Sequence, residues 1–332
     1  MSANAGHRHV DSQVVDSVIV GGGIAGLSAA LFLARAGRST IVYDAGRSRI
    51  LAVDRIREFV GFDGLSPEQM LTRAREEVLR YRATLRHALV ERIDPRIDGL
   101  FDVRTAEEVT RTRTVVLATG LIDELPHLEG LGRVWGRDLH ICPCFDGHEV
   151  RDKRFVVFGV PERLVHLGSW LSMWSPRVTV VTKQSLDPAG ADRLGVLGIE
   201  VVRDEVKGLI HQDNQLVAVS TESGAQIPCD AAWIATGLRA ASGLAASLCD
   251  VDEAGFAITD EHGRTTRPGV FAVGNATNRI AHLAHAAAAG TDVGPWVTTY
   301  LLDLLLSEKR TATPSGVSTE TFSHKKEKRP ES

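Results

Sequence analysis

A short apolar run, Val18-Ile19-Val20, leads straight into Gly21-Gly22-Gly23-Ile24-Ala25-Gly26 and then into the helix-forming stretch Leu27-Ser28-Ala29-Ala30-Leu31-Phe32-Leu33-Ala34. No other feature constrains the fold as tightly. Glycines at the first, third and sixth places of a strand-to-helix turn set a helix N-terminus against a phosphate group. Gly21 permits the tight turn, Gly23 lets the backbone approach a pyrophosphate, and Gly26 allows the helix to pack closely on the strand. The next apolar run, Thr40-Ile41-Val42-Tyr43, ends at Asp44, 18 residues beyond Gly26, where a carboxylate accepts the ribose hydroxyls of an adenosine. An acid there fits FAD or NAD and disfavours a 2′-phosphate. The fold class expected from this pattern is α/β with a parallel, dinucleotide-binding sheet.

At 332 residues the chain exceeds what one core usually holds, so two domains are expected. Its 38 Lys and Arg are dispersed among 42 Asp and Glu, a formal charge of -4. That leaves no basic face for nucleic acid or an anionic membrane, and neither partner is expected. No apolar stretch approaches the roughly 18 to 20 residues of a spanning helix. Met1 to Asp16 is polar and lacks the apolar segment and cleavage site of a secretory signal, so residues 1–16 are read as a disordered lead-in. Residues 307–332, rich in Thr, Ser, Pro and Lys, are read as a disordered tail. A cytoplasmic location is expected. In a reducing compartment 4 cysteines are not a disulfide scaffold, and the close pair in Cys142-Pro143-Cys144 suggests redox or metal chemistry. A zinc site needs further thiolate or imidazole ligands, and with no second CxxC or HxxxH pair no metal is expected.

Two near-repeats, Val115-Val116-Leu117-Ala118-Thr119-Gly120 and Trp233-Ile234-Ala235-Thr236-Gly237, are apolar strands ending in Ala-Thr-Gly. Further on, Thr266 to Asn275 forms a strand ending in Gly274-Asn275, followed by an alanine-rich helix through Ala289. In this order the blocks resemble the two-dinucleotide-domain flavoproteins of the thioredoxin reductase family, from about Ser17 to Leu306. The resemblance implies two Rossmann-like domains: an FAD domain in two parts, residues 17–124 and 240–306, interrupted by a smaller, degenerate NAD(P)-type domain at 125–239. It also implies a homodimer. FAD contacts are implied at Gly21, Gly23, Ile24, Ala25 and Gly26, and at Asp44, Ala45, Arg47 and Val90. Further contacts are implied at Ala118, Thr119, Gly120, Gly274, Asn275 and His282, with Asn275 on the ribityl chain. The helix after Asn275 would aim its N-terminus at the flavin pyrimidine, where its dipole stabilises negative charge on a reduced flavin.

The inserted domain keeps a strand, Phe155-Val156-Val157-Phe158-Gly159, but its turn continues Val160-Pro161-Glu162-Arg163-Leu164 and retains only the first glycine. After the second strand comes Thr182-Lys183-Gln184-Ser185, without the basic cluster that clamps a 2′-phosphate. The domain is therefore expected to survive as architecture, with NADPH not the main reductant and molecular oxygen the electron acceptor. The chain further resembles a family branch of dithiol oxidases that close disulfides in small natural products. The likeness lies in Trp135-Gly136-Arg137-Asp138, Gly147-His148-Glu149-Val150-Arg151-Asp152, Asp44-Ala45-Gly46-Arg47 and Gly61-Phe62-Asp63-Gly64. It implies that a small or carrier-bound dithiol gives electrons through Cys142 and Cys144 to FAD and then to O2.

The family motif has two residues between its cysteines; here Cys142 matches the first, Phe145 stands at the second, and Cys144 falls one residue early. A CxC disulfide closes a smaller, more strained ring and is expected to be the stronger oxidant. Asp146 and His148 are candidate acid–base groups, with helix capping and packing as their structural alternatives. His282 and His285, three apart on one helical face, are candidates for shuttling protons. His140 is the next candidate, and Cys229 and Cys249 are expected to be core residues. Three other functions fit the same residues. One is an FAD enzyme that dehydrogenates a carrier-tethered intermediate with cysteines outside the relay. Another is an NADPH-dependent disulfide reductase, and the third is a flavin-bearing binding or sensing protein.

Overall fold

The computed structural model describes residues 13–241 and 243–312. Strand Val15–Val20 runs parallel to Thr40–Tyr43 on one side and to Val109–Leu117 on the other. Helix Ile24–Arg35 connects the first pair. Thr84–Arg86 extends one edge in parallel, Phe101–Arg104 and Arg92–Pro95 extend the other antiparallel, and Val270–Ala272 pairs with the C-terminal part of Val109–Leu117. The strand returning from the far end of the sequence thus completes the first sheet. Leu27, Ala30 and Leu33 of the first helix bury against Val293, Val297 and Leu301 of the last one, Leu283–Ala312. At roughly 25 cal/mol per Å² of apolar surface buried, such contacts hold the two parts of this layer together.

The second sheet is wholly parallel, in the order Glu200–Val202, Val178–Val181, Phe155–Gly159, Ala231–Ala235, Leu139–His140. An antiparallel three-strand sheet, Val206–Gln212, Gln215–Thr221 and Gln226–Pro228, packs beside it. Leu121–Glu124 and Gly237–Ala240 pair antiparallel and carry the chain out to the second sheet and back. The α/β class, with a mostly parallel first sheet and a wholly parallel second one, is the one expected from the sequence.

The ends differ from the sequence reading. Val15 and Asp16, placed in the lead-in, begin the first strand, because their carbonyls accept hydrogen bonds from Thr112 Oγ1 (3.2 Å) and Thr114 Oγ1 (2.8 Å). Ser307 to Ala312, placed in the tail, continue the last helix. There Glu308 pairs with Arg113 at 2.5 Å, and Lys309 and Arg310 sit in the last turn, where cations suit the helix dipole. Residues 1–12 of the expected lead-in and 313–332 of the expected tail lie outside the described residues. No described helix is long and apolar enough to cross a membrane.

Candidate flavin and dithiol site

The glycine turn folds as its spacing requires. Gly21 has φ +117°, and a Cβ there would overlap the carbonyl of Ala118; a Cβ at Gly26 would overlap the carbonyl of Gly21. Gly23 caps the first helix without any side-chain hydrogen bond, which leaves the leading N–H groups available to a phosphate. Asp44, at the end of the second strand, accepts from Gly46 N (2.8 Å) and pairs with Arg75 (3.0 Å), so its carboxylate is held in place.

A cavity of about 350 Å³ opens from this turn. Its walls include Gly21, Gly23, Ile24 and Ala25, then Asp44, Ala45, Arg47 and Val90, then Ala118, Thr119, Gly120, Asn275 and His282. Gly26 and Gly274 are not among the lining residues; Gly26 underlies the turn by allowing the helix to approach. Asn275 spends its amide donors on the carbonyls of Asn278 (2.8 Å) and Ala281 (3.1 Å), which shapes the entry to the last helix. Uncapped N–H donors at a helix N-terminus, two crowded glycines and a fixed carboxylate acceptor are what an adenine dinucleotide needs, and the cavity continues beyond them.

That continuation reaches the cysteine segment. Ile141, Phe145 and Asp146 line it, together with His140 from the second sheet. Cys142 caps the short helical turn Pro143–Asp146, and its sulfur lies 2.7 Å from that of Cys144. Burial, then the Cys144 thiol and the nearby Glu58 charge, push the Cys142 thiol up to about 12. Neither cysteine is among the cavity-lining residues; Phe145 is, with its ring 5.1 Å from that of His282.

The histidines separate. The last helix begins at Leu283, so His282 immediately precedes it and faces the cavity, with Nδ1 3.1 Å from Glu58 Oε2. His285 is exposed and lies outside the cavity wall, although its ring is 5.8 Å from that of His282. His148 is also exposed, beside Arg151, which donates to its carbonyl at 3.0 Å. Asp146 instead meets His140, Oδ2 to Nδ1, at 2.9 Å. Cys229 is fully buried and burial pushes its thiol up to about 12; Cys249 is half-buried and is raised for the same reason. Sequence reasoning missed the bidentate pair of Arg49 with Asp123, both distances 2.7 Å, on the cavity wall. Its partners are 74 residues apart, and no local pattern announces them.

The second turn begins like the first: Gly159 has φ +117°, and a Cβ there would overlap the carbonyl of Ala235. Pro161 then occupies the first helical turn, Leu164 is fully buried, and Arg163 reaches across to donate to the carbonyl of Thr236 at 2.8 Å. Lys183 is held by Glu205 at 2.7 Å and by Glu222.

A family model described as "Pyridine nucleotide-disulphide oxidoreductase" matches residues 15–290. The chain belongs to this family. Within it, a thioredoxin reductase of Listeria innocua is 26% identical over 283 residues, covering 80% of this chain and 86% of that one. "Thioredoxin reductase tcpT" of Claviceps purpurea is 26% identical over 314 residues, covering 90% and 98%. The crystal structure of HlmI superposes with a TM-score of 0.87 at 30% identity, covering 91% of this chain and 97% of the other. The protein is a thioredoxin reductase-like flavoprotein, an FAD-dependent oxidoreductase, and the cavity described above fits that cofactor.

Proposed function

We propose that the protein is a dithiol oxidase, taking electrons from a small or carrier-bound dithiol through Cys142 and Cys144 and passing them to O2. One observation carries the reading. Two thiols 2.7 Å apart adjoin the flavin cavity, while the turn that would seat NADPH is occupied by Pro161, Leu164 and the Arg163 side chain. The substrate dithiol reduces the Cys142–Cys144 disulfide by exchange and leaves as its own disulfide. FAD, held at the glycine turn and Asp44, would supply the two-electron chemistry that restores the disulfide, with O2 taking both electrons and two protons as hydrogen peroxide. His282 and Asp146 face the cavity where those protons move, and Asp44 with the glycine turn holds the adenosine end.

Anaerobic mixing of the holoprotein with dithiothreitol and, separately, with NADPH tests this. Rapid flavin bleaching by the dithiol, slow bleaching by NADPH, and equal yields of disulfide and hydrogen peroxide in air are expected. Fast reduction by NADPH overturns the reading. A second reading draws on Phe145, which lines the cavity where neither cysteine does: the flavin dehydrogenates a carrier-tethered intermediate directly. Full turnover in both Cys142→Ser and Cys144→Ser selects it over the relay.

A further inference from the structure

Residues 55–65 form a loop whose two ends meet. Ile56 N donates to the Leu65 carbonyl at 2.8 Å, Gly64 N donates back to the Ile56 carbonyl at 2.9 Å, and Arg55 donates to the Gly64 carbonyl at 3.1 Å. Ile56 is fully buried in the cluster that holds Met70 and Leu71, and Phe59 stacks on Phe62 with ring centroids 4.9 Å apart. A loop anchored in this way is a firm platform for the side chains it carries. Glu58 has φ +59°, in the left-handed region that residues other than glycine seldom adopt, and its N–H donates to Asp63 Oδ1 at 3.1 Å. Two neighbouring charges part there. Arg57 Nε meets Glu149 Oε1 at 2.9 Å, while Glu58 Oε2 meets His282 Nδ1 at 3.1 Å.

Glu149 is tied to the cysteine turn by the backbone. Beyond the helical turn Pro143–Asp146, Gly147 N donates to the Pro143 carbonyl at 2.8 Å and Glu149 N to the Asp146 carbonyl at 3.2 Å. A Cβ at Gly147 would overlap the Pro143 carbonyl and press on the Trp174 ring, so the turn is packed closely on that indole. It is therefore held twice: by Trp174, just before strand Val178–Val181 of the second sheet, and, through Glu149, by Arg57 from the first part of the chain. Arg57 also lines the cavity, as do Phe145 and Asp146 of the turn. Its side chain is 22% exposed and its Nε is sealed without an aligned hydrogen bond, so the Glu149 carboxylate is what balances its charge. A fully exposed pair would constrain little, whereas a shielded guanidinium is costly to leave unmatched.

Cys142 and Cys144 are half-buried on the turn so held. We propose that Arg57 is a positioning residue for the dithiol chemistry: its pair with Glu149 latches the cysteine turn at the cavity wall and limits how freely Cys142 and Cys144 meet outside reagents. The inference deepens the dithiol-oxidase reading and rests on it for what the thiols do. No proton or electron passes through the pair. Its contribution is placement, and reacting groups displaced by ~1 Å lose ~100-fold in rate.

The test is a charge-reversal cycle of Arg57→Glu, Glu149→Arg and the double variant. Each protein is reduced with dithiothreitol and freed of it anaerobically. Labelling of Cys142 and Cys144 by N-ethylmaleimide is then timed by mass spectrometry, on the holoprotein and on the apoprotein. Each single variant sets like charges face to face and should label ~5-fold faster than the parent. The double variant restores the pair in reverse and should return to within ~2-fold of the parent. Flavin bleaching by dithiothreitol in the holoprotein should move the other way, ~10-fold slower in each single variant and recovered in the double. Parent-like labelling in either single variant overturns the proposal. So does fast labelling that the double variant does not reverse, which is what a general loosening of the fold would give. If a reversal variant fails to fold, Arg57→Gln and Glu149→Gln replace it: equal increases that do not add in the double support the latch, and absent or additive increases overturn it. The relay reading fails separately, by full dithiol turnover in Cys142→Ser and Cys144→Ser, whatever the labelling cycle shows.

Discussion

The two glycine turns start from one backbone design and diverge in the residues that follow. Gly21 and Gly159 share φ +117°, and each packs against the carbonyl of a third parallel strand, Ala118 or Ala235. The next five residues divide them. Where the first turn has Gly23 as an uncapped helix start and Gly26 against the strand, the second has Pro161 and the fully buried Leu164. Where the second strand of the first sheet leads into Asp44, its counterpart leads into Thr182, whose hydroxyl accepts from Gln184 N at 3.2 Å. The opening glycine and the sheet therefore suffice for the shape of the turn. Competence to hold a dinucleotide comes from the later glycines and the acid.

Giving the first turn the second turn's residue is the most severe way to break this comparison. In Gly26→Leu the new side chain starts on top of the Gly21 carbonyl, and overpacking of this kind costs about 1–3 kcal/mol or more. Because the helix moves off the phosphate as it yields, FAD affinity should fall ~100-fold and the protein should purify without its yellow absorbance. Stoichiometric flavin in this variant would mean that Gly26 is not what separates the turns.

What the sequence revealed and what it hid follow from distance along the chain. The FAD cradle was legible because strand, glycines, helix and acid fall within Val18 to Asp44, and local spacing alone sets their geometry. The Ala-Thr-Gly repeats carried the second sheet in the same way. His140 was less legible, because its burial depends on Trp233 from another strand. His282 and His285 looked equivalent at helical spacing, yet the helix starts between them, at Leu283, and only His282 faces the cavity. Composition placed Ser307 in a tail, whereas the ion pair of Glu308 with Arg113, again remote in sequence, accompanies another turn of helix.

A milder exchange sharpens the role of the acid. Asp44→Thr installs the residue type of the second sheet, removes the carboxylate that would meet the ribose, and leaves Arg75 without its 3.0 Å partner. Losing a charged hydrogen bond costs about 1.5–3 kcal/mol, so FAD should bind ~10- to 100-fold more weakly, read by titrating the apoprotein with flavin. Unchanged affinity would shift the whole distinction onto the glycines.

The smallest effect is expected from emptying the second turn. Arg163 is an exposed residue whose guanidinium donates to the Thr236 carbonyl at 2.8 Å, so Arg163→Ala should cost about 1 kcal/mol and lower Tm by ~2 °C. It should not admit NADPH. Pro161 and Leu164 still stand where a pyrophosphate needs glycines, and Lys183 stays engaged by Glu205 and Glu222 rather than free for a 2′-phosphate. Anaerobic bleaching of the flavin by NADPH should therefore be as slow in this variant as in the parent. If removing the guanidinium alone made the flavin reducible by NADPH, the second turn would be a working site closed by one side chain. Its divergence from the first would then lie in Arg163 and not in the lost glycines.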